Sequence, residues 1–181
     1  MDTPLKTPTY TELNYSNMNI SYTEFVALTK NLAKIKTLTK LNLSGNYVWS
    51  ILIATVLEEN KTLTTLDLSN TNIGRYDCVI PFTEALKKNT TLTTLDLSCN
   101  KSGDWITAMI ADALKKNGTL KTLNFSFNEV GYHGAKYIAE AVKINKTLTL
   151  LDLRGCGISQ NWAKIIAKAL ETNTTIQIIT T

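Results

Sequence analysis

The residues of this chain best suited to catalysis or metal binding are one histidine, His133, and three cysteines, Cys78, Cys99 and Cys156. A nucleophilic mechanism needs a nucleophile, a base and an orienting group that lie close together. Cys99 with His133 is the one pair that such a mechanism could use, and nothing in their spacing supports it. There is no CxxC pair, which excludes a zinc ribbon and argues against a disulfide framework. We therefore expect no catalytic residues and no enzyme.

Acidic side chains offer a second route to chemistry, because aligned carboxylates can bind a metal ion. Asp67, Asp96 and Asp152 occupy equivalent positions in a repeating pattern, but Asn124 interrupts their row. The chain also lacks the GxxxxGK[ST] sequence of a phosphate-binding loop. We expect no metal site and no cofactor.

The composition argues against two classes of partner, nucleic acid and membranes. The 181 residues carry a formal net charge of +4, too small an excess to favour nucleic acid or an anionic membrane. No apolar run approaches the roughly 20 residues of a membrane-spanning helix. The N-terminal residues lack the apolar core of a secretory signal. These features predict neither a nucleic-acid partner nor a membrane partner.

The elements that position these residues come from an internal repeat. Segments such as Thr62-Leu-Thr-Thr-Leu-Asp-Leu-Ser and Thr91-Leu-Thr-Thr-Leu-Asp-Leu-Ser recur along the chain. The repeats start near residues 9, 37, 62, 91, 119 and 147, and a terminal half-repeat covers 175–181. Because such units must stack to bury their apolar faces, we predict one domain over residues 1–181.

Each repeat has two halves with different periodicities. Leu95 and Leu97 alternate with polar residues, which is typical of a strand with one buried face. About ten residues later, apolar residues such as Ile106, Met109 and Ile110 recur at helical spacing. Between the halves lies a turn column in which asparagine, and more weakly threonine or cysteine, can bond unpaired backbone groups, whereas Met18 cannot. Its members are Met18, Asn46, Thr71, Asn100, Asn128 and Cys156.

This pattern, LxxLxLxxN/C/TxL, resembles the leucine-rich repeat family, and the 28–29-residue unit with a full helix is similar to the ribonuclease-inhibitor-like subfamily. The resemblance implies an α/β leucine-rich-repeat solenoid in the form of a right-handed horseshoe. Parallel strands would line its concave face and helices its convex face.

An aromatic residue follows each strand, near the predicted start of the helix. This aromatic column contains Tyr22, Trp49, Tyr76, Trp105, Tyr132 and Trp162. Large stiff rings along one rim could form a partner-binding ridge. Alternatively, each ring packs over its own helix N-terminus as a hydrophobic staple. The sequence leaves both interpretations open.

The outward-facing strand positions are mostly Ser, Thr, Asn and Asp, which make a poor surface for tight binding. The exceptions gather toward the C-terminal units and are Phe127, Leu150 and Arg154. Aromatic and arginine side chains are the usual anchors of protein interfaces. We therefore expect these three residues, together with the aromatic column, to contact a protein partner.

These observations predict a non-enzymatic protein–protein interaction module with a rigid curved surface. One alternative is a secreted bacterial effector that modulates a host signalling protein, by analogy with the eukaryotic-like repeat effectors of intracellular bacteria. A GTPase-activating or hydrolytic protein is less favoured, because the chain has only two arginines and no catalytic constellation. The apolar terminal strand around Ile178 also suggests a homo-oligomer formed through this C-terminal edge.

Glycosylation sequons bear on the compartment. One recurs at every junction between units from Asn60-Lys-Thr62 onward, and Asn124-Phe-Ser126 lies in a predicted strand. Glycans at stacked positions would clash with neighbouring units. We therefore expect a cytoplasmic protein, or one translocated into a host cell without a cleavable signal peptide.

Overall fold

The structure is a computed structural model, and it describes residues 10–73 and 79–180, in which strands and helices alternate. The strands are β1 (Glu12–Asn14), β2 (Lys40–Asn42), β3 (Thr65–Asp67), β4 (Thr94–Asp96), β5 (Thr122–Asn124), β6 (Leu150–Asp152) and β7 (Gln177–Ile179). The helices are α1 (Tyr22–Leu32), α2 (Ser50–Glu59), α3 (Val79–Lys88), α4 (Asp104–Lys116), α5 (Tyr132–Ile144) and α6 (Gln160–Leu170).

The strands form one parallel sheet whose order follows the sequence from β1 to β7. Their middle residues are in register, as where Leu66 lies opposite Leu95. Leu95 is fully buried, whereas its neighbours Thr94 and Asp96 are half-buried on the other face. A helix lies between each strand and the next, because parallel neighbours need a crossover connection. The predicted α/β repeat architecture is confirmed.

A continuous apolar core lies between the sheet and the helices. It combines apolar residues in and just after the strands, such as Leu95 and Leu97, with helix residues such as Ile110 and Leu114. Each unit buries its apolar face against its neighbours, as stacked repeats require. Within residues 10–73 and 79–180, none of the helices has the length and apolar character to cross a membrane.

The turn column hydrogen-bonds the strand ends of adjacent units. The Nδ2 atom of Asn100 donates to the carbonyl oxygen of Leu68 at 2.8 Å and to that of Leu97 at 3.0 Å. The thiol of Cys156 donates to the Phe125 carbonyl oxygen at 3.2 Å. The predicted turn role is confirmed for Asn100, and Cys156 fulfils it with a single weaker bond.

A second row of asparagines, which we call the junction ladder, fixes the start of each unit to the unit before it. Asn117 donates from Nδ2 to the carbonyl oxygens of Leu86 at 2.7 Å and Asn89 at 3.2 Å. Its Oδ1 accepts from the amides of Thr119 at 2.9 Å and Leu120 at 2.7 Å. The ladder comprises Asn60, Asn89, Asn117, Asn145 and Asn173, all of them buried. In the sequence these residues are recognisable only as the first residues of sequons.

Candidate protein-binding surface

Phe127 is a large aromatic side chain that the fold holds in an exposed position. It lies in the turn after β5 with 61% of its surface exposed. Its backbone is left-handed, with φ of 54°, a conformation that costs an L-residue other than Gly or Asn about 1–2 kcal/mol. Its amide donates to the Arg154 carbonyl oxygen at 2.7 Å. Its ring lies against Gly155, where an added Cβ would come within 2.4 Å of Cδ1.

Arg154 lies beside Phe127 and is oriented by an ion pair. Its Nε and NH2 groups donate to the carboxylate of Asp152 at 3.0 and 2.5 Å. These hydrogen bonds hold the pKa of the Asp152 carboxyl below its ordinary value, although burial acts in the opposite direction. Half of the Arg154 side chain is exposed, whereas Asp152 is buried. The arginine therefore presents a positive group held by Asp152, and its backbone is hydrogen-bonded to that of Phe127.

Leu150 is the third residue that the sequence predicts on this surface. It begins β6, where it lies opposite Thr122 and Gln177, and it is half-buried. Leu150 and Arg154 face the same side of the sheet, because side chains alternate along a strand. The structure thus brings Phe127 and Arg154 together and places Leu150 at the margin. We call these three residues the C-terminal patch.

The aromatic column is exposed in some units and covered in others. Trp105 in α4 is 40% exposed and Tyr132 in α5 is 49% exposed. Trp49 is half-buried, with its ring centroid 5.1 Å from that of Tyr22 and 5.8 Å from that of Phe25. The Trp49 ring thus packs on residues of the preceding helix. Tyr76 lies outside the described residues.

The position of Trp162 contradicts the hypothesis that every ring of the aromatic column lies on a partner-binding ridge. Only 2% of its surface is exposed, so it belongs to the core and cannot contact a partner in the folded protein. It is the third residue of α6 rather than the first or second, and it turns inward. Its indole Nε1 donates to the Gly131 carbonyl oxygen at 3.2 Å, which satisfies the buried N–H.

The residues considered for chemistry form no site in the described parts of the chain. Cys99 is exposed, and Cys156 is buried with its thiol pKa raised by burial. His133 packs edge-on against Tyr132, with 5.7 Å between ring centroids. Within residues 10–73 and 79–180, no three His, Cys, Asp or Glu residues are grouped so that they could hold a metal ion. Cys78 lies outside these ranges.

Residues 50–181 match the family described as the TMOD/LMOD leucine-rich domain. The chain belongs to this family. The leucine-rich repeat resemblance is therefore confirmed, while the ribonuclease-inhibitor-like assignment stays a prediction. The C-terminal patch lies within the matched residues of this TMOD/LMOD leucine-rich domain. Tyr22 and Trp49 precede them.

Solved structures similar to this TMOD/LMOD leucine-rich domain include the following two. One, described as leiomodin-1 actin-binding site 2, is 30% identical with a TM-score of 0.55, and the alignment covers 63% of this chain and 68% of that chain. The leucine-rich repeat-containing protein LegL7 from Legionella pneumophila is 22% identical with a TM-score of 0.60. That alignment covers 92% of this chain and 54% of LegL7, and the likeness concerns the fold alone. No curated protein matches the chain.

Ile51 and Ile80 are exposed apolar residues of this domain that no sequence pattern identified. Ile51 in α2 is 56% exposed and Ile80 in α3 is 49% exposed. Like Trp105 in α4, each is the second residue of its helix. The shared helical position is the signal that would have found them. Counting residues from the end of each strand does not align these helix positions, because the connection between strand and helix varies in length.

Proposed function

We propose that this TMOD/LMOD leucine-rich domain is a non-enzymatic protein-binding module that docks its partner on the C-terminal patch. Phe127 would be the central anchor of the interface. Arg154 would supply a charged contact near it, and Leu150 would lie at the edge. The rigid sheet beneath the patch loses little conformational entropy on docking, so a small number of anchors suffices.

The observation that carries this proposal is the backbone strain at Phe127. The equivalent residues of other units are Asn17, Asn70 and Cys99, with φ between 53° and 57°, and the glycines Gly45 and Gly155. Asparagine and glycine adopt this conformation at little cost, whereas Phe127 and Cys99 do not, and of these two only Phe127 carries a large ring. A strained residue with most of its ring in solvent contributes little to folding. Strain of this kind is typical of functional positions.

Actin is the first partner to test. The leiomodin-1 structure, whose description names an actin-binding site, supports this choice because it is 30% identical to the chain. The family match also includes the whole C-terminal patch. Both features support a protein partner without identifying the contact residues.

The direct test compares the actin affinity of the wild type with that of Phe127→Asn. Asparagine suits the left-handed backbone, as Asn70 demonstrates, so the variant keeps its fold. Loss of a central anchor weakens binding by at least about 2 kcal/mol, which corresponds to about 30-fold in Kd. Tyr137→Asn is the matched control, because it removes a 41%-exposed ring from the helical side. We expect the control to bind like the wild type.

Each alternative outcome of this experiment removes one part of the proposal. Equal affinities of the wild type and Phe127→Asn would exclude the C-terminal patch as the docking surface. No binding of the wild type to either monomeric or filamentous actin would exclude actin as the partner.

Gly155→Ala tests whether the support beneath Phe127 matters for binding. The added Cβ would displace the Phe127 ring, and the residue would also be strained because φ is 67°. We expect about 1–2 kcal/mol lower stability in urea unfolding and weaker actin binding than that of the wild type. Unchanged binding in a folded Gly155→Ala variant would show that the ring orientation is irrelevant.

The finer expectations from the sequence stay predictions. The buried amides of the junction ladder support a compartment without N-glycosylation, and thus a cytoplasmic or translocated protein. Delivery to a host cell has no further support. Pairing of two copies through β7 would show as a dimer in light scattering at micromolar concentration, and a monomer would exclude it.

A further inference from the structure

The first junction of the solenoid differs from all later ones. Where later junctions carry an asparagine of the junction ladder, the equivalent residue here is Ile35. Isoleucine cannot make the bonds of the ladder, and an open hollow of about 320 Å³ lies at this junction. Its lining consists of Ala33, Lys34, Ile35, Lys36, Glu59, Lys61 and Thr62.

The hollow has a fixed backbone frame. Nδ2 of Asn60 donates to the carbonyl oxygens of both Leu32 and Ile35 at 3.0 Å. The amide of Lys34 donates to the Asn31 carbonyl oxygen, also at 3.0 Å. The loop that carries the lysines is therefore held in one conformation before any ligand binds, which reduces the entropy lost on binding.

The charge around the hollow is unbalanced. Its lining contains three exposed lysines, Lys34, Lys36 and Lys61, and one carboxylate, Glu59. Among the ion pairs of residues 10–73 and 79–180, none includes any of these four side chains. The ammonium group of Lys61 donates to a backbone carbonyl oxygen, that of Glu58.

At two later junctions a lysine at the end of a helix pairs with a carboxylate of the next helix. Lys87 pairs with Glu84 at 2.5 Å and with Asp112 at 2.6 Å, and Lys115 pairs with Glu140 at 2.9 Å. The first junction thus combines an interrupted ladder, an aliphatic surface and three lysines against one carboxylate, and none of these four charged groups takes part in an ion pair of the described residues. These three features occur together at this junction.

We propose that this hollow binds an acidic peptide segment of a partner protein, with one large aliphatic side chain inserted between carboxylates. The aliphatic side chain would contact Ala33 and Ile35, and the carboxylates would pair with the lysines at the edge. The volume lies at the lower end of the range of ligand pockets, about 300–1,000 Å³, which suits one side chain rather than a whole helix. The site lies at the C-terminal ends of α1 and α2, and it does not depend on the C-terminal patch.

The test uses the full chain and a fluorescein-labelled peptide of sequence Glu-Glu-Asp-Leu-Glu-Asp, followed by fluorescence anisotropy. We expect Lys34→Ala/Lys36→Ala to weaken binding by about tenfold, because two exposed charge pairs are lost. Lys164→Ala/Lys168→Ala is the matched control, since it removes the same charge from exposed positions of α6. We also expect weaker binding of a peptide in which serine replaces the leucine.

Three results would overturn the proposal. If both double variants weaken binding equally, the attraction is a property of the net charge and not of the hollow. If the serine peptide or inorganic phosphate binds as well as the leucine peptide, the aliphatic anchor plays no part. If the wild-type chain does not bind the leucine peptide at millimolar concentration, the hollow is not a peptide site.

Discussion

The junction ladder and the aromatic column lie at opposite ends of the helices, and they are stabilised by different kinds of contact. Each asparagine of the ladder from Asn117 to Asn173 donates to two backbone carbonyls of the preceding unit and accepts the backbone amide two residues further along the chain. Trp49 contacts other aromatic rings, whereas Trp162 bonds a carbonyl oxygen from within the core. The backbone partners recur from Asn117 to Asn173, whereas the partners of Trp49 and Trp162 differ. A repeated residue therefore has a repeated role only when its partners repeat as well.

Replacement of tryptophans provides the largest expected difference within the aromatic column. Trp162→Ala leaves a cavity in the core and should lower the free energy of unfolding by about 3–5 kcal/mol. Trp105→Ala removes a 40%-exposed ring and should cost about 1 kcal/mol or less. Urea unfolding followed by circular dichroism measures both. Similar losses in the two variants would mean that the column acts as one structural unit, as the staple interpretation holds.

Single replacements in the junction ladder test whether its asparagines contribute equally to the free energy of unfolding. Asn117→Ala leaves two buried carbonyls and two amides without their partner, which should cost about 3 kcal/mol. Asn145→Ala removes equivalent bonds to Leu114 and Asn117, so its loss should agree within about 1 kcal/mol. The control is Asn161→Ala, at an exposed position of α6. Unequal losses at Asn117 and Asn145 would contradict the idea that backbone partners make the ladder uniform.

The same distinction explains what the sequence could predict. The alternation at Leu95 and Leu97 predicts a buried strand face, because the partners of these residues are the leucines of adjacent units. The inward turn of Trp162 was not predictable, since it depends on where α6 begins. The junction asparagines were visible as a repeat, but their bonds run to carbonyls of the preceding unit that no local pattern reveals. The C-terminal patch was found as a departure from the consensus, while its strain at Phe127 required the backbone geometry.

The smallest expected effect concerns the hydrogen bonds that Asp96 and Asp152 accept. One of these bonds is the same in both units, and the other differs. In β4, Asp96 accepts hydrogen bonds from the amide and the hydroxyl of Ser98 at 2.8 and 2.6 Å. In β6, Asp152 accepts the equivalent amide bond from Arg154 at 3.0 Å, but the guanidinium replaces the hydroxyl. Arg154→Ser would restore the serine of the other units. The variant therefore isolates the contribution of the guanidinium.

The direction of the pH dependence follows from the lowered pKa of Asp152. A carboxyl whose pKa is lower in the folded state stabilises the fold above its unfolded pKa, about 3.9. That stabilisation is lost as the pH falls through the folded value. We expect the wild type to exceed Arg154→Ser in stability most at neutral pH, and the difference to shrink below about pH 4. Urea unfolding at pH 7, 5, 4 and 3 measures it. A difference that stays constant over this range would mean that Arg154 stabilises the fold by packing, and that its charge is available to a partner rather than engaged by Asp152.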